Sequence, residues 1–452
     1  MTDVLALLRE ALDDRVDTRP DVLRAARADR SGHISSGAPL AVVHAESAAD
    51  VQATLRIATA TGTPVVPQGA LTGLAGAANA GEGQIALSTR RMTRVLEISA
   101  DDRLAVVEPG IINADLNTQL ADHGLWWAPD PASRDISTVG GNIATGAGGL
   151  LCAKYGVVRD AVLGLDVVLA DGRLIRMGRR SVKGVTGLDL TSLMIGSEGR
   201  LGVVVGATLK LRPVVPGSVC TAAAAFASVR DAATAASAVT ASGVQPSVME
   251  LMDATALAAA HAHLGLAAPE KGASQLIVQT DGGAARDEAE AIAEVLRRAG
   301  GAVTLTEDAA EGERLLAMRR AANPAIAATG SQLIEDVSVP RTKLAEMFDE
   351  IARVEREHGV RIPTIAHAGD GNLHPSFVFQ GESVPEHIWI AAGDLFRSAI
   401  RLGGTLTGEH GIGVLKARWL AEELGDDQWE LQRRIVAAFD PQSILNPGKV
   451  FV

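Results

Sequence analysis

The sequence predicts an α+β protein of more than one domain, on three observations. Short apolar blocks in the N-terminal half alternate between strand spacing and helix spacing. Three runs of glycine and other small residues interrupt them. Between residues 217 and 300 the blocks follow the order β-α-β-β-α-β, the outline of a ferredoxin-like sheet with helices on one face. A chain of 452 residues has room for two to three domains at about 150 residues each.

In chain order, residues 1–10 lack the basic-then-apolar order of a signal peptide and read as an amphipathic helix, with an irregular segment to residue 40. Residues 41–44 read as a strand, 47–61 as a helix capped by Ser47, and 64–66 as a second strand. Strands are expected at 84–88, 95–98 and 104–107, and a helix at 113–123 ending at Gly124. Residues 162–170 and 174–177, joined by Asp171 and Gly172, form a hairpin by the Asp-Gly rule. Strands at 203–205 and 208–211 follow, and Pro213 and Pro216 mark a domain boundary. Beyond it, helices are expected at 228–242 and 285–299, and strands at 247–252 and 275–280. A helix at 343–358, a strand at 361–366 and a final helix at 426–439 complete the order.

The first glycine run, residues 67–76, directly follows a strand. Such a loop can turn successive bare N–H groups toward a phosphate, although a plain turn is the simpler alternative. Its spacing is not Gly-x-Gly-x-x-Gly, so a Rossmann dinucleotide site is a poor fit. The second run, residues 133–149, is dominated by small residues that pack poorly as a core element, and a large flat ligand against the backbone would explain it. The third is Ser-Glu-Gly-Arg-Leu-Gly at 197–202.

Composition narrows the function. Glycine is high at 47 residues, near one in ten against an average of about 7%. The formal charge of −12 and pI near 5.4 argue against nucleic acid as a partner, because phosphate binding needs clustered Lys and Arg. Two cysteines, Cys152 and Cys220, are too few for a disulfide framework and favour a cytoplasmic setting. They also exclude an internal Cys-ligated iron–sulfur cluster. The most apolar stretch, 254–268, is too short and too polar to span a bilayer.

Two motifs carry chemistry. Residues 407–413, Thr-Gly-Glu-His-Gly-Ile-Gly, set a carboxylate beside an imidazole on a backbone that three glycines loosen. Residues 367–374, His-Ala-Gly-Asp-Gly-Asn-Leu-His, set two histidines around a tight turn. His367, His374 and Glu409 offer two imidazoles and a carboxylate, which suits a divalent Zn2+ or Mn2+ with positions left open for substrate. His410 would then stand beside the metal as a free base. The alternative is a pair of surface loop histidines.

Taken together, the three glycine runs and the two histidine motifs resemble one family: the FAD-linked D-2-hydroxyacid dehydrogenases, including the flavin subunit of bacterial glycolate oxidase and FAD-dependent D-lactate dehydrogenase. The resemblance runs from about residue 40 to the C-terminus. It implies a two-part FAD-binding domain of the p-cresol methylhydroxylase type over 1–215. A substrate domain with the metal site over 216–420 and a C-terminal helical return over 421–452 would follow. By this resemblance the cofactor contacts are Pro67, Gln68, Gly69, Ala70, Leu71, Thr72, Gly73 and Leu74 at the pyrophosphate. Pro129, Asp130, Pro131, Ser137, Thr138, Gly140, Gly141, Asn142, Ala144, Ala147, Gly148 and Tyr155 would line the flavin. Glu198, Gly202 and Val204 would flank the adenine side, and Asn446 would reach back to the flavin. His367, His374 and Glu409 match the family's metal ligands, His410 its base, and Arg319 the arginine that binds the substrate carboxylate, with Arg320 beside it as the other candidate.

The implied reaction oxidises a small 2-hydroxy acid, D-lactate or glycolate first, and passes electrons to a quinone, a cytochrome or an electron-transfer protein. The expected setting is cytoplasmic or peripheral at the membrane, and a homodimer is the expected assembly. Leu71, Ala75 and Ala77 depart from the family's loop of glycines and serine, Gly146 stands where asparagine is common, and Arg200 where threonine is common. Ile334 stands where the 2-hydroxyglutarate enzymes carry a lysine, which disfavours a dicarboxylate substrate. No His or Cys lies in 67–78 to tether the flavin, so FAD is expected to be noncovalent. Two rival functions are a metallohydrolase built on the same three ligands, and the flavin subunit of a multi-subunit glycolate oxidase.

Overall fold

The computed structural model describes residues 3–451; Met1 and Thr2, the start of the expected first helix, lie outside them. Internal contacts divide the chain into two compact units. Unit 1 comprises Met1–Gly148, Gly156–Val214 and Glu409–Val452, and unit 2 comprises Gly149–Tyr155 and Val215–Gly408. The last segment of unit 1 starts at Glu409.

Unit 1 holds two sheets. The first runs in the order Val16–Asp17, Ala41–His44, Ile85–Ser88, Val65–Gln68, and its last three strands are parallel. The helix Ala48–Thr61 precedes the strand Val65–Gln68, and Ser47 and Asp50 form a capping box at its start, a device worth about 1 kcal/mol. The second sheet is antiparallel, in the order Val95–Ser99, Leu104–Val107, Val203–Lys210, Val162–Val168, Leu174–Gly178. Val43, Val65, Ile85 and Leu87 of the first sheet share one buried cluster with Val168, Val203 and Val205 of the second, and with Ile444 and Leu445 from the C-terminal segment.

That segment is bound firmly into the first sheet. The Val65 N–H donates to Ile444 O, and the Asn446 N–H donates to Val65 O, both at 2.7 Å. Asp440 accepts the N–H groups of Ile444 and Leu445. The end of the chain therefore completes the core laid down by residues 41–88.

Unit 2 is built on one antiparallel sheet, in the order Ala302–Thr306, Ser218–Phe226, Ser274–Gly282, Val248–Met252, Thr364–His367, Asn372–Phe379, Ser331–Ile334. The first four strands, with helices Val229–Ala241 and Ala285–Arg298, have the expected ferredoxin-like order. They also carry an additional helix, Ala254–His263.

Several local expectations are corrected. Residues 133–149 do contribute to the core: Val139–Thr145 is a helix with Val139 and Ile143 buried, and Thr138 caps it. The strands expected at 203–205 and 208–211 are one strand, Val203–Lys210, carrying a register shift near Gly206. A short helix, Pro20–Ala25, interrupts the segment expected to be irregular. The last helix begins at Ala417 and is broken at Gly425. The longest helices that had not been expected are Ala309–Ala327 and Glu386–Arg401. The first buries Gly312, Arg319 and Ala322 among its apolar residues and contains Pro324, so its hydrophobic spacing is weak.

Candidate active site

In unit 1 a cleft opens beside the end of the strand Val65–Gln68. Pro67, Gln68, Gly69, Gly140, Gly141, Ala144, Glu198, Gly202 and Val204, all among the expected cofactor contacts, line it, and Ala77, Ala78, Thr89, Pro109, Thr145, Met194, Ser197, Gly199 and Val203 complete it. Ala77 and Ala78 continue the small-residue run past the expected loop. Met194 carries no sequence signal.

The walls fit a flat ligand pressed against backbone. A Cβ on Gly69 would sit 2.6 Å from the Thr138 hydroxyl, and one on Gly140 would strike Pro109. Only glycine allows these strands and turns to approach so closely. Behind them lies a buried polar brace. Asn113 donates to Pro129 O and to Asn142, Asn142 donates to Ser137, and Thr138 accepts the Gly141 N–H. Asp130 and Pro131 are buried in the same stretch, and Ala147 and Gly148 follow the helix cap at Gly146.

Ala70, Leu71, Thr72, Gly73 and Leu74 form an irregular loop braced by the 29–30 segment. The Arg30 N–H donates to Gly73 O, and the Gly76 N–H donates to Asp29 at 3.0 Å. One amide of the expected phosphate loop is therefore committed to a carboxylate. Leu71 adopts φ +57°, the left-handed region that a Cβ disfavours. Tyr155 belongs to unit 2, where its hydroxyl bonds to Asp281 beside Lys154. Asn446 donates its side-chain amide to Ala77 O and Glu198 O.

The 407–413 loop passes from unit 2 into unit 1 along the chain. Its glycines permit close packing rather than looseness. A Cβ on Gly413 would overlap the Ala75 carbonyl, which accepts the N–H groups of Val414 and Leu415. Glu198 accepts the N–H of Ile412 at 2.7 Å and of Gly413 at 2.8 Å. Burial pushes the Glu198 carboxyl up to about 7, against the lowering effect of these two donors. Within this loop the His410 Nε2 lies 3.5 Å from Glu409 Oε1.

In unit 2 the strand pair Thr364–His367 and Asn372–Phe379 brings His367 and His374 together, with ring centroids 4.9 Å apart and edge-on. Both are buried. Each turns its Nδ1 toward a buried carboxylate: Glu250 lies 2.6 Å from His367 and Asp336 lies 3.8 Å from His374. Asp336 also accepts from Asn372 at 2.6 Å and from Thr407 at 2.7 Å. Arg319, 8% exposed in its side chain, pairs with Glu250 at 2.7 Å, while Arg320 is exposed on Glu313. The donor set fits a divalent ion, since a histidine held through Nδ1 offers Nε2 as its ligand atom.

Sequence reasoning missed Glu250, Asp336 and Asn372. The signal for Glu250 was present: it is the one charge in Val-Met-Glu-Leu-Met, a strand buried at every position. Asp253, just beyond, caps the helix Ala254–His263 and accepts the Thr364 N–H, so it holds the strand that carries His367. Burial pushes its carboxyl up to about 7.

Comparison with known proteins agrees with this architecture. Residues 39–178 match the FAD binding domain family, and residues 215–450 match the family described as FAD linked oxidases, C-terminal domain. The chain is 37% identical over 420 residues to glycolate oxidase subunit GlcD of Bacillus subtilis, covering 91% of this chain and 89% of that one. It is 36% identical over 421 residues to a D-lactate dehydrogenase of Archaeoglobus fulgidus, covering 90% of each. Among solved structures, p-cresol methylhydroxylase superposes with a TM-score of 0.79 at 18% identity, covering 99% of this chain and 96% of that one. An alkyldihydroxyacetonephosphate synthase superposes at 0.75 and 19% identity, covering 99% and 86%; these likenesses establish the fold. No helix among the described residues is long and apolar enough to cross a membrane. With both of its domains matched and its relatives aligned over most of their length, the chain belongs to the FAD-linked oxidases and is an FAD-dependent oxidoreductase.

Proposed function

We propose that the protein oxidises a small D-2-hydroxy acid, D-lactate or glycolate first, to the 2-oxo acid. The single observation that carries this reading is the pairing of His367 and His374 over two buried carboxylates, with the guanidinium of Arg319 on one of those carboxylates. Relatives named glycolate oxidase subunit and D-lactate dehydrogenase support the substrate class.

The residues of the unit 1 cleft hold FAD noncovalently, because no His or Cys lies in 67–78 to form a tether. Bound FAD supplies a two-electron acceptor, and a divalent ion on His367, His374 and Glu409 supplies Lewis acidity toward a hydroxyl. Arg319 fixes the substrate carboxylate through charge-assisted hydrogen bonds. Its Nε is buried with no hydrogen-bond partner among the described residues, which leaves a donor for such an anion. Oxidation removes one proton and one hydride from the substrate: His410 takes the hydroxyl proton, and FAD held by the unit 1 cleft would supply the hydride acceptor. Ile334 stands opposite Ser376 across the strand pair and brings no cation to a second carboxylate, so a monocarboxylate is favoured.

The electrons leave to an external acceptor, a quinone, a cytochrome or an electron-transfer protein. The word subunit in the relatives' names supports a second reading, in which partner chains carry them. Turnover of the isolated chain with an artificial dye, before and after exhaustive chelation, tests both. Dye reduction that chelation abolishes and Zn2+ or Mn2+ restores is expected. Dye reduction indifferent to chelation removes the metal, and no dye reduction with any 2-hydroxy acid favours dependence on partner chains.

A further inference from the structure

Glu250 sits in the middle of the strand Val248–Met252, directly opposite His367 on the neighbouring strand and opposite Ile277 on the other side. Its side chain is 0% exposed. A carboxylate sealed in the centre of a sheet is costly unless paired. Here one oxygen lies 2.6 Å from His367 Nδ1 and the other 2.7 Å from Arg319 Nη2. The two partners come from different elements, a strand and the helix Ala309–Ala327. A pair with Arg319 alone would neutralise the charge. The second contact adds something that neutrality does not require.

We propose that Glu250 is a positioning residue that sets two functional groups at once. It fixes His367 in the tautomer with the proton on Nδ1, so that Nε2 keeps its lone pair for a metal, and it anchors Arg319 in the orientation that receives the substrate carboxylate. A short contact from an ionised carboxylate to Nδ1 admits only the protonated form of that nitrogen, and such outer carboxylates typically change metal affinity by about 10–100-fold. Metal loading and carboxylate recognition are thereby coupled through one side chain. The proposal rests on the metal and carboxylate assignments made above.

Glu250→Gln tests it with little change of shape. The amide can turn its NH2 toward Nδ1, which then needs the opposite tautomer. In the FAD-loaded protein, titration with Zn2+ and with Mn2+ against a competing chelator reads metal affinity directly, and steady-state kinetics read KM. The expected result is a metal dissociation constant raised by about tenfold or more, a raised KM for the hydroxy acid, and unchanged FAD content. Glu250→Asp keeps the charge but withdraws it by one methylene, and should fall between the two; it serves alone if the Gln variant does not fold. Metal affinity and KM left at wild-type values, with only thermal stability lowered, would reduce Glu250 to a structural ion pair and overturn the proposal. A wild-type protein that binds neither metal would remove the metal assignment itself, and the proposal with it.

Discussion

Glu198 holds the 407–413 loop: its buried carboxylate accepts the Gly413 N–H at 2.8 Å. The same residue lines the unit 1 cleft, so one side chain touches both the cleft wall and the segment that carries His410.

That placement gives a pH dependence. Burial raises the Glu198 carboxyl from 4.5 to about 7 and the Asp253 carboxyl from 3.8 to about 7. The folded state therefore keeps protons that the unfolded chain releases between about pH 4 and 7, and stability falls as pH rises through that window. Each group contributes up to roughly 3–4 kcal/mol of this loss. Thermal unfolding across the window should show Tm falling with rising pH, and a shallower fall in Glu198→Gln. An equal slope in the variant would mean that Glu198 ionises normally.

Leu71 occupies φ +57°, where a side chain costs about 1–2 kcal/mol. Glycine there relieves the strain and loses roughly 0.5–1 kcal/mol to unfolded-chain entropy. Leu71→Gly should leave stability unchanged or raise it by up to about 1 kcal/mol, with FAD retained. Denaturant unfolding of the holoprotein checks this, and a clear loss would mean that packing of the half-buried leucine outweighs the strain.

Arg319 is buried on Glu250, whereas Arg320 is exposed on Glu313. Arg319→Ala should therefore raise KM for the hydroxy acid by about 10–100-fold, the worth of hydrogen bonds to a charged group. Arg320→Ala should leave KM within about twofold. The reverse order would move the carboxylate site.

Much of this architecture was legible because its signals are local. Ser47 announced a capped helix, and the ferredoxin-like order followed from alternating blocks. The tight turn read between His367 and His374 proves to join the two antiparallel strands that carry them. What escaped depends on distant partners. Residues 133–149 hide a core helix because its buried positions are few and its glycines serve neighbouring backbone. Asp336 shows its importance only once Thr407 and Asn372 fold onto it. The glycines of the 407–413 loop suggested freedom, and the Ala75 carbonyl against Gly413 reveals tight contact instead.

The central claim is tested most directly by the visible spectrum of the purified protein without oxygen, recorded before and after D-lactate and then glycolate, for the wild type and for His410→Ala. The account predicts an oxidised flavin spectrum in both proteins. It predicts bleaching by at least one of these acids in the wild type, and bleaching slowed by about 10²–10⁴-fold in the variant. A flavin that neither these nor any other 2-hydroxy acid bleaches would contradict the substrate class, and equal bleaching rates in the two proteins would contradict His410 as the base.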